Sequence, residues 1–397
     1  MQLVEVMHTR VRKALGEIHV MRLRSLFAAV GGLLLGQQLW LTSVGRHVAT
    51  KVAEKHRIKQ LDRLLGNGHL GVERPALYRW LSSLLLSPGS QPCVLVDWSD
   101  IDTTKSLFLL RAAVSVGGRA LTVYEAVYDR YANRQDTAKF LATLAQILPQ
   151  DCRPVSVTDA GFKSPWFRSV AARGWSYVGR VRNRDYARLV HEETWFPAKL
   201  LYARATRTPR DLGELWLPRA NPCLTRAYLY HKPPQGRHRM TARGQRRRNG
   251  PSEKHARGER EPWLLVSNLP PRRTTAKRVV ALYRQRMTIE QAFRDLKAYR
   301  HGFALRGNLG RHKNRIADLL LIAVLAMFVL WIIGLVGIAR GLHRTLQANT
   351  ERLRRVLSTF FIGVRLFKRG ILLSREDVDE ALAQLRFTVL ANGADTA

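Results

Sequence analysis

The feature that most constrains the fold of this chain is a run of 21 residues without a charge, Leu319 to Ala339, which reads LLLIAVLAMFVLWIIGLVGIA. A run of this length can cross a bilayer as a helix, and it is equally typical of a helix buried on all sides in a large core. The chain has no second such run, basic residues flank it on both sides, and the mean hydropathy is that of a soluble protein. These observations favour a buried core helix and predict no membrane partner.

The charge balance indicates a polyanionic partner. Across 397 residues, 66 Lys and Arg stand against 30 Asp and Glu, which gives a formal net charge of +36. Such an excess destabilises a compact protein through self-repulsion, and nucleic acid is the first candidate for a partner that relieves it. The segment 235–261 concentrates nine cations against three acids. Here a contact with a polyanion is favoured over a solvated loop.

The cysteines and the N-terminal residues bear on the compartment. Cys93, Cys152 and Cys223 are isolated in the sequence, with no Cys-x2-Cys pair, so neither a structural zinc site nor a disulfide framework is indicated. The first residues lack the apolar segment of a secretory signal. We therefore expect a cytoplasmic protein.

The order of the predicted elements indicates an α/β fold. Short apolar runs and turn residues predict a strand at 94–97, a hairpin at 106–128 that turns at Gly117-Gly118, and then helix, strand, helix and strand up to residue 182. This order is that of a ribonuclease-H-like core, a mixed sheet flanked by helices. A β-rich insertion interrupts the core, and helical regions precede and follow it.

We divide the chain into five segments on this basis. They are a helical N-terminal DNA-binding region at 1–85, the first part of the core at 86–185, the β-rich insertion with its basic loop at 186–262, the second part of the core at 263–345, and a helical C-terminal region at 346–397 that is a candidate for dimerisation. Within the first segment, His56 to Leu65 forms an amphipathic basic helix, which suits either DNA backbone contact or a solvated surface.

Four polar residues share one face of a helix predicted at 275–300: Tyr283, Arg286, Glu290 and Lys297. At about 100° per residue their side chains fall within roughly 60° of one another. An apolar stripe beside them would dock the helix on the core. The plain alternative is a solvated face with ion pairs between successive turns. A carboxylate between two cations also suits a divalent metal next to phosphate oxygens.

Three carboxylates from separate segments complete this pattern. Asp97 and Asp159 each end an apolar run that is predicted to be a core strand, and Glu290 lies on the helix. Such a set can hold a pair of Mg²⁺ ions about 3.5 to 4 Å apart, which activate an attacking oxygen and stabilise a leaving one. Asp100 and Asp102 lie close by and are interpreted as turn or capping residues.

The three stretches that carry these acids resemble a known family. VLVDWSDI at 94–101, TDAGFKSPW at 158–166 and YRQRMTIEQAFRDLK at 283–297 look like the catalytic segments of DDE-type bacterial insertion-sequence transposases with the Tyr-Arg-Glu-Lys signature, with the greatest likeness to the insertion-sequence-ten group. The likeness extends over most of the chain. It implies that Asp97, Asp159 and Glu290 are the catalytic, metal-binding triad.

The resemblance also implies contacts with DNA. Tyr283, Arg286 and Lys297 would hold phosphates of the transposon end, and Trp263 would fill the gap left by a flipped base during hairpin formation. A core aromatic is the alternative for Trp263. Arg180 and Arg182 alternate along one strand end, so we expect both on one face. Basic residues of the family near this position touch strained DNA.

The sequence therefore predicts a cut-and-paste transposase that uses two Mg²⁺ ions, with Mn²⁺ able to substitute. Its partners would be double-stranded DNA, both transposon ends and target, and a second copy of the chain in a homodimeric synaptic complex in the bacterial nucleoid. A metal-dependent nuclease on the same fold would cut without joining and would not need the Tyr283, Arg286, Lys297 and Trp263 set. A non-catalytic DNA-binding protein would need the charge alone.

Overall fold

The computed structural model describes residues 2–102, 104–182, 185–233, 261–272, 274–300, 302–351 and 354–393. The predicted basic loop at 235–261 lies outside the described residues except for Glu261. Within the described ranges the chain divides into two compact units, Met1–Pro154 with Gln285–Ala397, and Val155–Arg284. The five-segment division made from the sequence stays a prediction.

The described helices are numbered α1 to α12: Gln2–Ala14, Val20–Gly36, Leu41–Arg46, Glu54–Leu65, Gly68–Leu85, Arg134–Ile147, Ser164–Ala171, Ala276–Gln285, Met287–Lys297, Lys313–Ala339, Thr359–Lys368 and Arg375–Ala391. The strands β1 to β10 are Cys93–Asp100, Phe108–Val116, Arg119–Tyr128, Val155–Thr158, Ser176–Val181, Tyr186–Leu189, Phe196–Pro197, Arg210–Leu217, Cys223–Tyr230 and Trp263–Ser267. The described chain thus combines helices with a mixed sheet, as expected for an α/β fold.

The first unit contains an antiparallel sheet in the order β3-β2-β1. The hairpin of β2 and β3 turns at Gly117 and Gly118, whose φ angles are 50° and 79°. Both lie in the left-handed region that glycine adopts without a Cβ penalty, so the predicted hairpin is confirmed. Helices α5 and α6 pack on β3, and α9 packs on all three strands.

The core of the first unit forms around α10, the charge-free helix. Among the described residues it is the one helix long and apolar enough to cross a membrane, and 94% of its most apolar 18-residue window is buried in the structure. It packs against α2, α4, α5, β3, α11 and α12. Its burial agrees with the core helix that the sequence predicted.

Helices α10 and α11 cross at a close approach of their backbones. A Cβ atom at Gly334 of α10 would overlap the carbonyl oxygen of Thr359, and a Cβ at Gly363 of α11 would overlap the carbonyl oxygen of Leu330. The absence of side chains at both glycines therefore lets the helices approach this closely.

The second unit contains a mixed sheet in the order β4-β5-β10-β9-β8-β6-β7. Strands β4 and β5 are parallel and are joined through α7. The pairs β5-β10, β10-β9, β9-β8 and β8-β6 are antiparallel. The strands β6 to β9 fall in the segment predicted to be a β-rich insertion, 186–262. This unit carries Asp159, which directly follows β4 as predicted.

Two local expectations differ from the structure. The helix predicted at 275–300 is interrupted at Arg286, so Tyr283 lies on α8 while Glu290 and Lys297 lie on α9. A side-chain hydrogen bond spans the break, in which the Thr288 hydroxyl donates to the Gln285 carbonyl oxygen at 2.8 Å. Asp97 does not end its strand, because β1 remains paired with β2 as far as Asp100.

Candidate active site

Asp97 and Glu290 converge on one guanidinium group. Arg286 Nη2 lies 2.6 Å from Glu290 Oε1, and Arg286 Nη1 lies 3.4 Å from Asp97 Oδ2. The Arg286 and Asp97 side chains are each 14% exposed, whereas Glu290 is 43% exposed. The backbone N–H of Trp98 donates to Asp97 Oδ1 at 2.9 Å. Strand β1 and helix α9 thus bring two of the three predicted acids together.

Lys297 reaches from the end of α9 back to strand β1. Its Nζ donates to Ser99 Oγ at 2.5 Å and also to the Asp100 carbonyl oxygen. Burial, with a contribution from the nearby Arg306 guanidinium, lowers the pKa of Lys297 to about 8. The Lys297 ammonium, which is bound to Ser99 two residues after Asp97, therefore titrates near physiological pH.

Asp159 belongs to the second unit. It is half-buried after β4, and its Oδ1 accepts the Gly161 N–H at 2.8 Å. Across the described ranges, no group of three or more His, Cys, Asp and Glu side chains could hold a metal ion. The grouping of Asp97, Asp159 and Glu290 as a metal-binding triad therefore stays a prediction.

Tyr283 and Trp263 form an aromatic cluster in the second unit. Their ring centres are 4.8 Å apart with an edge-to-face geometry, and the Tyr230 ring lies 5.8 Å from Trp263. Lys232 Nζ lies 5.7 Å from the Trp263 ring centre, and Arg284 donates to the Tyr230 hydroxyl at 2.6 Å. Tyr283 is 4% and Trp263 is 7% exposed. The structure thus buries a tyrosine that the sequence placed in a polar stripe at the edge of a helix contact.

Arg180 and Arg182 both approach Glu261. The Nη2 atoms of Arg180 and Arg182 lie 3.8 Å and 3.1 Å from Glu261 Oε2. Two arginines separated by one residue of extended chain thus reach the same carboxylate, as expected for side chains on one face.

The region of the chain that contains these residues matches a known protein family. A family model described as the transposase DDE domain matches residues 88–327, more than half of the chain. The chain belongs to the DDE transposase family. A comparison with curated proteins gave no match.

Membership of this family sets the general chemistry. DDE transposases have a ribonuclease-H-like fold, act on DNA as cleaving and strand-transferring enzymes, and generally depend on a divalent metal. The matched region contains Asp97, Asp159 and the whole of α8 and α9. The prediction of a transposase that acts in DNA transposition and recombination is confirmed at this level.

The side chains of this transposase fit a divalent cation. Asp97 and Glu290 already direct carboxylate oxygens at a single positive group, the Arg286 guanidinium. Carboxylate oxygens are the ligands that Mg²⁺ and Mn²⁺ prefer. The donor set is therefore chemically suited to the metal dependence of the family.

Sequence analysis did not single out several residues that contact this region of the transposase. Ser99 binds Lys297, and Arg111 lies in the middle of β2 as the register partner of Asp97. The signal for Arg111 was a charged residue inside an otherwise apolar strand, FLLRAAVSV. Asp102 has the predicted turn role, since its carboxylate accepts the Ser106 N–H at 3.0 Å.

Proposed function

We propose that this chain is a cut-and-paste transposase of the Tyr-Arg-Glu-Lys group, related to the insertion-sequence-ten transposases. It would bind the inverted-repeat ends of its element, cut both strands through a hairpin intermediate, and join the freed 3′ ends to target DNA. The observation that carries the proposal is the convergence of Asp97 and Glu290 on Arg286, with Lys297 on the same helix, inside the matched transposase domain.

We assign Asp97, Asp159 and Glu290 as the catalytic acids that would hold two Mg²⁺ ions, with Mn²⁺ as a substitute. The chemistry that such ions supply when bound is activation of the attacking oxygen and stabilisation of the leaving oxygen. The protein's own part is to provide carboxylate oxygens at one place. Arg286 orients both carboxylates, because its guanidinium is within 3.4 Å of Asp97 and 2.6 Å of Glu290.

The DNA contacts in this proposal follow the Tyr-Arg-Glu-Lys pattern. Arg286 and Lys297 would contact phosphate oxygens of the transposon end, with Tyr283 as the third contact. Trp263 would stack against DNA where a base is flipped, a role that suits an indole with Lys232 beside it. We assign Arg180 and Arg182 as residues that contact the strained DNA.

The assembly and location proposed here follow from the same reaction. A homodimer would hold two paired ends, because each end needs its own active site, and the helical C-terminal region is the candidate for that contact. The protein would work in the bacterial cytoplasm at the nucleoid, where its +36 charge finds DNA.

A labelled duplex tests the proposed reaction. It would contain the inverted repeat that flanks this gene, joined to flanking DNA, and it would be incubated with the full chain and Mg²⁺. We expect nicked, hairpin, fully cut and target-joined products in that order, and none of them with Asp97→Asn. Nicks without hairpins or joining would instead identify a metal-dependent nuclease. Binding without any metal-dependent cutting would leave a DNA-binding protein.

The pKa of Lys297 gives a second test. Affinity for the end duplex should fall as the pH rises through about 8, because the ammonium that faces phosphate loses its charge there. Since this pKa lies below the ordinary 10.5, the charged form destabilises the folded chain, and the free energy of unfolding should rise from about pH 8 to 10.5. Fluorescence anisotropy across this pH range measures the first effect, and urea unfolding measures the second.

Two variants serve as controls for the Lys297 prediction. Lys297→Arg keeps its charge throughout and should bind with little pH dependence. Lys199→Met removes an exposed lysine of the second unit and should keep the wild-type response. A pH response in Lys297→Arg equal to that of the wild type would contradict the assignment.

A further inference from the structure

Three charged residues form one row across the sheet of the first unit. Arg111 on β2 is the register partner of Asp97 on β1 and of Glu125 on β3. Directly opposed residues on antiparallel strands project to the same face of the sheet, with Cβ atoms about 5 Å apart. The row thus begins at a candidate metal ligand and continues through a cation to a second acid.

The second and third members of the row, Arg111 and Glu125, form a completely buried ion pair. The Arg111 side chain is 0% and the Glu125 side chain is 1% exposed, and Arg111 Nη2 lies 2.6 Å from Glu125 Oε2. Arg111 Nε donates to the same oxygen at 2.6 Å. In the described part of the chain, Arg111 Nη1 has no hydrogen-bond partner despite its burial.

A pair of this kind is poorly explained by stability alone. Desolvation of two buried charges offsets most of their attraction, and apolar residues of similar volume often serve the fold as well or better. An unpartnered guanidinium nitrogen adds to the cost. The place of the pair beside Asp97 in the sheet therefore points to a functional role.

Arg111 also contacts the helix that carries Glu290. Its Cζ atom lies 4.9 Å from the ring centre of Phe293, which is three residues after Glu290 on α9. Lys297 Nζ lies 5.6 Å from the same ring centre. Cations at these distances are attracted to an aromatic ring. Phe293 thus connects the buried row of the sheet to the turn of helix that presents Glu290.

We propose that Arg111, held in place by Glu125, is a positioning residue that fixes α9 against β1 so that Asp97 and Glu290 face the same cation. The inference rests on the proposed function, in which these two acids bind metal. Arg111 acts through its neighbour Asp97 and through Phe293. Glu125 pairs with the guanidinium at 2.6 Å and holds it in the sheet next to Asp97.

Two double substitutions test the positioning role. Arg111→Met with Glu125→Leu replaces the pair by apolar residues, and the free energy of unfolding should be retained. Arg111→Glu with Glu125→Arg keeps an ion pair but places a carboxylate beside Asp97 and near Phe293. In both variants we expect cleavage of the end duplex to slow by about ten-fold or more, and Mn²⁺ to bind about ten-fold more weakly.

The measurements separate positioning from folding. Urea unfolding measures stability, and fluorescence anisotropy measures affinity for the end duplex. The electron paramagnetic resonance signal of free Mn²⁺ measures how much metal binds to the complex of the chain with a pre-cut end. The pre-cut duplex without protein serves as the blank. The matched control replaces another ion pair of the same unit, Arg74→Met with Asp318→Leu, whose side chains are 19% and 3% exposed. The control should keep the wild-type cleavage rate and Mn²⁺ affinity.

Each outcome bears on the proposal. Wild-type cleavage and Mn²⁺ binding in the apolar variant would overturn it, and so would restoration of both by the reversed pair, because any ion pair would then suffice. If the apolar variant fails to fold, the reversed pair still decides. If the wild type binds Mn²⁺ and the variants bind it more weakly, but none of them cuts DNA, then the proposed function fails while the positioning role stands.

Discussion

Replacing Glu290 by glutamine should lower the rate of metal-dependent cleavage by about 1,000-fold, since a carboxylate ligand of a catalytic metal contributes several kcal/mol to the transition state. Glutamine has nearly the same shape but carries no charge to hold the cation. Binding of the end duplex without metal should change by less than about two-fold, because the phosphate contacts in the proposal are Arg286 and Lys297 rather than Glu290. Single-turnover cleavage and anisotropy measure the two effects.

A matched variant makes this result specific. Glu351 is 44% exposed and pairs with Arg354, as Glu290 is 43% exposed and pairs with Arg286. Glu351→Gln therefore removes an equally exposed, arginine-paired carboxylate, and its cleavage rate should equal that of the wild type. Equal rates for Glu290→Gln and Glu351→Gln would remove Glu290 from the catalytic set.

The substitution Gly363→Ala should lower the free energy of unfolding by about 3 kcal/mol, the upper part of the range for an overpacked core. Its methyl group would overlap the Leu330 carbonyl oxygen, and a backbone atom cannot move aside by a rotamer change. Alanine favours a helix over glycine by about 1 kcal/mol, so any net loss reports the packing of α10 on α11. Urea unfolding followed by tryptophan fluorescence measures the change.

Gly68→Ala is the control for this packing test. Gly68 opens α5, and a Cβ atom there would meet nothing within 4 Å. The free energy of unfolding of the Gly68→Ala protein should be unchanged or slightly higher than that of the wild type. A Gly363→Ala protein as stable as Gly68→Ala would show that the two helices can separate at no cost.

Sequence patterns predicted elements whose boundaries are local. The hairpin could be predicted because Gly117 and Gly118 occupy positive φ angles that few other residues adopt. The burial of the charge-free run could be predicted because no second run of this kind occurs in the sequence and the mean hydropathy is that of a soluble protein. Asp97 and Glu290 were predicted to be metal ligands from their places in the sequence pattern and from a family resemblance, and the structure brings both side chains to Arg286.

Features that depend on partners distant in sequence were not predictable in the same way. The break at Arg286 leaves no signature, because the residue keeps right-handed helical angles, φ −51° and ψ −33°. Tyr283 is polar at its tip, so periodicity alone could not reveal the ring of Trp263 packed against it. Arg111 gave a signal as a charge inside an apolar strand, but its pairing with Glu125 could not be predicted, because alternation in a strand does not tell which face will be covered by a helix.

The central place of α10 has a consequence for synthesis of the chain. Helices α2 and α5 and strand β3 leave the ribosome long before the helix against which they pack is complete. The growing chain therefore displays an open apolar surface until residue 339 has emerged. A prematurely terminated product would keep this apolar surface exposed, which would make it a client for chaperones and proteases.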